Sequence, residues 1–466
     1  MGTSSGTGRR TAAAIPALPT LGSGLAVGGL SPARHALVAC HDGADMTPDH
    51  HGAPPAPKNG HGNAGSAQQP GDGNELNPRQ RPATPPELAT AIHSTPHKMV
   101  MAFAGAGAQA LAWLHGVGGS SRTVLSAVDV YNEESMRDWV GFMPARFTSR
   151  RVARAMARRA YQQARRYAKT ADAVFGLGST ATIATDRAKR GEHRVAAAVQ
   201  DAFGMTTYSL TIEKDARDRT GEEELVSLLL LRAAAEACGV LARPELPLTA
   251  LERIEIEFHP SELIAAVERG EREAAVVRSD GSVVGLPRAG AARRWAVLSG
   301  AFNPAHEGHL DLARAASEHV GLPALFELPL VNAEKAPIGL FEARLRAQQF
   351  AGRGALALTR AALFVEKAEL FPGSVFVVGV DTAERILEPR FYGGSEDKLR
   401  AALGAIGSRG CRFLVAGRLD GADGYKTLRR LKVPAELAGL FEELPEGSFR
   451  HDVSSSEIRA GWAGRA

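Results

Sequence analysis

Apolar residues in this chain come in short runs separated by glycine-rich or charged turns, and the runs alternate with stretches of helical periodicity. After residue 97, "MVMAFA" (99–104) predicts a strand, a Gly-rich turn follows, and 108–115 predicts a helix. "TVLSAVDVY" (123–131) predicts a second strand. An Ala- and Arg-rich stretch over 149–170 has the spacing of a long helix, and "DAVFGLG" behind it reads as a strand. "GEHRVAAAVQ" and "MTTYSLTIEK" are strand-like, and "EEELVSLLLLRAAAEACGV" predicts a leucine-rich helix. Strands alternating with helices mean α/β.

A second unit of the same rhythm begins at "RRWAVLSGAFNP". A helix over 308–319, the apolar run "ALFELPLVN", a helix around 340–350, the strand "SVFVVGVD" and the strand "RFLVAGRL" follow, and the chain closes on "FRHDVSSSEIRAGWAG". Between the units, 241–292 reads as a connector with some structure of its own. Residues 1–96 lack either periodicity. A stretch such as "HHGAPPAPKNGHGNAGSAQQPGDGNELNPRQRPATPP" cannot bury enough apolar surface to offset its ordering entropy, which predicts a disordered tail.

Composition narrows the classes. A chain of 466 residues, 44% hydrophobic and 23% charged, is globular and long enough for two domains. A net charge of +4 is small for that length, so nothing global points to nucleic acid. Cys40, Cys238 and Cys411 lie far apart, which suits a reducing compartment rather than a disulfide framework. No apolar stretch reaches the ~20 residues of a membrane span. The expected location is cytoplasmic. The first 41 residues hold arginine, serine and threonine but no acid, a composition resembling an organelle transit peptide, so an organelle stands as the alternative.

The densest chemistry lies in "SGAFNPAHEGHL" (299–310). After a strand the chain must turn sharply into a helix, and Gly300 and Pro304 suit that turn. Gly308 leaves room for a phosphate to approach the backbone. A helix starting near His309 aims its unpaired N–H groups and positive dipole end at an anion, and the His306 and His309 imidazoles add donors there. This is a phosphate cradle without a Walker lysine.

These residues resemble the H-x-G-H signature of the nucleotidyltransferase superfamily. The form G-x-F-N-P-x-H-x-G-H is closest to nicotinate and nicotinamide mononucleotide adenylyltransferases. "VSSSEIR" (453–459) resembles the same enzymes' I-S-S-T-x-I-R motif, and "FVVGVDT" their strand-end G-x-D. The resemblance implies adenylyl transfer from ATP to a nicotinate or nicotinamide mononucleotide, in NAD biosynthesis, with release of pyrophosphate. His306, His309 and Arg459 would be catalytic. Gly300, Phe302, Asn303, Gly308, Gly379, Asp381, Ser454, Ser455 and Ser456 would bind the nucleotide. Lys335 and Tyr392 are the candidates for substrate contact, although an exposed lysine after a strand reads equally well at 335. Mg²⁺ would arrive with the ATP, and no protein metal site is expected. Cytidylyl transfer, another phosphomonoester acceptor, and a nucleotide-sensing regulator without turnover remain alternatives.

The first unit carries two patterns. Gly105, Gly107 and Ala110, with Asp129 ending the next strand, outline a dinucleotide fingerprint. Over 97–240 the chain also resembles the CinA C-terminal domain, the nicotinamide-nucleotide amidase fold: "AGAGAQAL", "GGSS", "YNEESM", "SRRVARAMARRAYQQA" and "FGLGSTA" stand in family order. The family's nucleophilic serine falls on Ala106 and its lysine on Met136, leaving Tyr131. A serine-type amidase mechanism has no nucleophile here, so this unit is expected to be inactive.

The expectation is thus an α/β chain of two domains. A tail (1–96) precedes a CinA-like α/β domain (97–240), a connector (241–292) and a Rossmann-like nucleotidyltransferase domain with a parallel sheet (293–466). Its partners would be ATP and a phosphomonoester, a pyridine mononucleotide, with neither nucleic acid nor membrane; a homo-oligomer is left open.

Overall fold

The computed structural model describes residues 82–186, 190–286, 293–332, 336–419 and 425–449. Six strands form a first sheet: β1 (Lys98–Ala104), β2 (Val124–Asp129), β3 (Val174–Thr182), β4 (His193–Gln200), β5 (Gly204–Ile212) and β6 (Glu255–Pro260). Their order is β2-β1-β3-β4-β5-β6, parallel from β2 to β3 and antiparallel from there to β6. The uninterrupted apolar run of β1 has a simple cause, since both its faces are covered. Met99, Met101 and Phe103 pack with α1 (Pro85–His93), α2 (Ala108–His115) and α6 (Arg219–Ala237). The alternate residues Val100, Ala102 and Ala104 meet the other face, under α5 (Arg150–Tyr167). Short helices α3 (Ser120–Thr123) and α4 (Glu133–Val140) complete this part. α5 buries Val152, Ala153, Met156, Ala157, Ala160 and Ala164, a stripe of mostly small side chains. It lies so close to β3 that a Cβ on Gly178 would sit 2.3 Å from the Ala157 nitrogen, so glycine is required there.

The second sheet has the order β16-β13-β12-β9-β10-β11-β7-β8. Its strands are β7 (Ala274–Val277), β8 (Val283–Gly285), β9 (Ala296–Ser299), β10 (Ala324–Pro329), β11 (Leu356–Thr359), β12 (Val375–Gly379), β13 (Arg412–Ala416) and β16 (Phe441–Leu444). A two-stranded hairpin, β14 (Arg418–Leu419) with β15 (Tyr425–Lys426), stands apart. From β16 to β11 all neighbours are parallel, while β7 and β8 add antiparallel strands at one edge. The helices are α7 (Glu262–Glu268), α8 (Glu307–Val320), α9 (Leu340–Gln348), α10 (Phe364–Leu370), α11 (Val380–Ile386) and α12 (Glu396–Ser408). The chain winds outward from β9 through β10 and β11, then returns to add β12, β13 and β16 on the other side. The strand order therefore reverses between β9 and β12, and a crevice at the carboxyl ends of those two strands is where open sheets of this kind take ligands.

Two sequence-based boundaries need correction. The expected tail runs to 96, yet α1 lies inside it with Leu88, Ala89 and Ile92 fully buried. A nine-residue helix opening on Pro-Pro gave little periodicity to read, and tertiary burial orders it. The expected connector 241–292 contributes β6 to the first sheet and β7 and β8 to the second, so it is a shared part of both sheets.

The two sheets meet in a buried polar cluster. Asp201, in the β4–β5 turn, accepts the N–H groups of Phe203 and Gly204 on one oxygen, at 2.9 and 3.0 Å. Its other oxygen takes Arg344 of α9 (Nη2 at 2.6 Å, Nε at 2.9 Å) and the Gln348 amide at 3.0 Å. Arg344 is fully buried. The described residues belong to one compact unit.

Candidate functional site

β9 ends at Ser299 and the chain turns at Gly300, where a Cβ would lie 2.8 Å from the Phe302 ring. Phe302 has a left-handed backbone (φ 47°) and the Asn303–Pro304 peptide is cis. The Phe302 ring is buried against Phe326 and Phe350, with centroids 5.8 and 4.9 Å away, and meets His309 edge-on at 5.1 Å. Phe302, read from the sequence as nucleotide-binding, thus keeps its side chain in the core and offers the site its backbone and a floor under His309.

His306 is the N-cap of α8, and Gly308 is buried in its first turn. The His306 N–H donates to His309 Nδ1 at 3.2 Å. A neutral His309 then carries its proton on Nε2, because Nδ1 is the acceptor. The two imidazoles lie with centroids 3.8 Å apart and a tilt of 36°. Helix α9 and the turn after it hold this loop from outside. Arg346 Nη1 donates to Ala301 O at 3.0 Å, and the Gln349 amide accepts the Ala305 N–H at 2.9 Å while donating to Phe302 O at 3.4 Å.

On the neighbouring strand β12, Gly379 caps α11, and no atom lies within 4 Å of the place a Cβ would take. Val377 pairs with Leu298, so the register carries Gly379 to the level of Gly300 across the reversal point. Asp381, in the first turn of α11, makes an exposed ion pair with Arg418 at 3.0 Å. His306, His309, Gly300, Asn303, Gly308, Gly379 and Asp381 are thereby gathered on the ends of two adjacent strands. Tyr392 stands apart from them: its hydroxyl donates to Ile386 O at 3.0 Å and burial pushes its pKa up, which suits a side chain tying down its own turn. Lys335, Ser454, Ser455, Ser456 and Arg459 lie outside the described residues. Among the described residues, no group of three or more His, Cys, Asp or Glu could hold a metal ion, and no helix is long and apolar enough to cross a membrane.

One cluster beside the site was missed in the sequence. Lys367 of α10 reaches Glu327 of β10 at 2.6 Å and Ser299 Oγ at 3.4 Å, and Thr359 of β11 donates to the other Glu327 oxygen. Lys367 and Glu327 are buried, directly behind the residue that opens the loop. A single glutamate inside the apolar run "ALFELPLVN" was the available signal, because a buried carboxylate needs a cation.

In the first sheet, Gly107 and Gln109 at the start of α2 give their N–H groups to the Glu223 carboxylate at 3.0 to 3.1 Å. The donors a dinucleotide pyrophosphate would require are already taken by the protein's own anion, against the fingerprint reading. Ala106 and Met136 are buried, and Tyr131 is exposed. A cavity of about 270 Å³ lies here, lined by Gly105, Tyr131, Met136, Thr148, Thr180 and Arg219 among others.

Part of the chain is similar to solved CinA structures. The competence/damage-inducible protein CihA of Agrobacterium tumefaciens matches 34% of this chain and 96% of its own, at 22% identity and a TM-score of 0.26. A CinA-superfamily protein of Enterobacter cloacae matches 36% of this chain and 99% of its own, at 16% identity and 0.27. The competence damage-inducible protein A of Klebsiella pneumoniae matches 33% and 96%, at 15% identity and 0.27. No protein-family model and no curated protein matches the chain.

Proposed function

We propose that the part of the chain built on the second sheet, a Rossmann-like nucleotidyltransferase, moves an adenylyl group from ATP to a nicotinate or nicotinamide mononucleotide and releases pyrophosphate. What carries this reading is the position of "GAFNPAHEGH": the loop leaves β9 at the point where the strand order reverses, with both imidazoles at the start of α8. An acceptor phosphate oxygen attacks the α-phosphorus of ATP in line, and the bond to the leaving pyrophosphate breaks. No protein nucleophile is needed. The chain supplies alignment and positive potential where charge builds on phosphorus. The helix start and the His309 imidazole would face that charge, and Gly379, with no atom within 4 Å of the place of a Cβ, would leave the adjacent strand end open for the nucleoside. Mg²⁺ would come on the triphosphate. Ser454, Ser455, Ser456 and Arg459 would close over the phosphates, with Arg459 holding the pyrophosphate.

The test is to incubate the full chain with MgATP or MgCTP and a panel of phosphomonoesters, reading pyrophosphate release. Turnover with MgATP and a pyridine mononucleotide is expected. Turnover with MgCTP alone would turn the reading to cytidylyl transfer, and nucleotide binding without any turnover would turn it to a sensor. For the CinA-like part we propose an amidase-derived fold without amidase chemistry, since a methyl group stands at 106. The full chain is expected to release no ammonia from nicotinamide mononucleotide, and ammonia release above the buffer rate would overturn this.

A further inference from the structure

A cavity of about 630 Å³ opens where the two sheets meet, on the side of "GAFNPAHEGH" that faces α1 and the end of α9. Two exposed arginines, Arg122 and Arg353, line it with His97, Cys238, Gln348 and Gln349, and its lining includes no carboxylate. Burial pushes the His97 pKa down to about 4 and the Cys238 thiol up to about 12, so both are neutral near pH 7. The tautomer of His97 follows from its neighbours. Gln348 gives its N–H to Asp201, so its oxygen faces His97 Nε2 at 3.0 Å and accepts the hydrogen bond that the Nε2–H donates. His97 Nδ1 is left as a buried acceptor with no hydrogen-bond partner among the described residues. The pair between Arg353 and Glu307, at 3.3 Å, is exposed on both sides and readily exchanged for another anion.

We propose that this seam cavity binds a small anionic metabolite, a phosphomonoester or a carboxylate, whose charged group meets Arg122 and Arg353 and whose neutral part lies against Gln348, Gln349 and the Pro96–His97 wall. The volume is in the range of small-molecule sites, and arginine forks suit both anions. The occupant touches the wall formed by Gln349, whose amide holds Phe302 O and Ala305 N, so occupancy bears on the loop that carries His306. The site itself does not rest on the transferase reading, and a chain that released no pyrophosphate would leave the binding results below intact.

The test titrates the full chain with glycerol 3-phosphate and with glycerate, which share hydroxyls and differ in the anion, by calorimetry and by hydrogen exchange. At least one is expected to bind and to slow exchange in peptides spanning 92–98 and 346–353, in the parent and in His309→Ala alike. Arg122→Glu, a change at an exposed residue, is expected to weaken that binding about tenfold or more, and Arg122→Gln by less. The difference between the two probes tells phosphate from carboxylate. Binding of neither probe would overturn the proposal. So would binding that survives Arg122→Glu with Arg353→Glu, or protection confined to 300–309 and abolished by His309→Ala.

Discussion

At the scale of residues, His309 and His97 make the sharpest claims. In the proposed reaction His309→Ala removes a donor for the reacting phosphate, together with the acceptor of the His306 N–H, and leaves the contacts of Arg346 and Gln349 to the loop in place. Pyrophosphate release is expected to fall about a hundredfold or more with the melting temperature little changed. A parent-like rate would end the phosphate-cradle reading. His97 tests the interior through pH. Its folded pKa of about 4 lies below the ordinary 6.5, so between those values the unfolded chain binds a proton that the folded chain refuses. Stability is then fully present above pH 6.5, falls as the pH drops toward 4, and the loss amounts to about 3 kcal/mol. Urea denaturation at pH 7.5 and pH 5 should show the parent losing stability over that interval and His97→Gln losing less. The histidines at 306 and 309 were legible because their geometry is local: a turn, an N-cap and a helix start lie within ten residues. Glu327 and Lys367 were not, because forty residues separate the partners and only the fold brings them together. Lys367→Met strands the Glu327 carboxylate and is expected to cost about 3–5 kcal/mol, whereas the double change Lys367→Met with Glu327→Leu should recover most of it.

Elements follow the same division. The strand and helix rhythm from 98 to 240 and from 293 onward was readable, since each buried run carries its own period. β1 and β12 are continuous apolar runs because both faces of a central strand are covered. What could not be read was membership. The segments that became β6, β7 and β8 are short and partly polar, and nothing local says which sheet each edge strand joins. α1 was missed for the related reason that its worth is tertiary: Leu88 and Ile92 have little to bury against until α6 is in place. A chain beginning at residue 82 is expected to melt with the full protein. One beginning at Pro96 loses the fully buried Leu88 and Ile92, about 2–5 kcal/mol each, and should melt well below it in a calorimetric scan. Equal melting of the two would mean that α1 adds nothing to the first sheet's core.

For the whole molecule, the sequence suggested two domains joined by a connector, while the structure shows two sheets sharing a polar core. Asp201 and Arg344 lie 143 residues apart in sequence and no local pattern announces them. Because each is buried and serves the other, the two halves should unfold as one cooperative transition. Asp201→Ala should lower the melting temperature and separate the transition into two, as seen by calorimetry; a single unshifted peak would show that the halves do not depend on the pair. The same pair governs how the chain can be rebuilt. Transplanting the second sheet into a new host would carry Arg344 away from the Asp201 carboxylate and bring an unmatched cation into the graft. A chimera of either half therefore has to bring both residues or neither, and the natural place to cut is not the middle of the apparent linker but a junction that keeps the β4–β5 turn with α9.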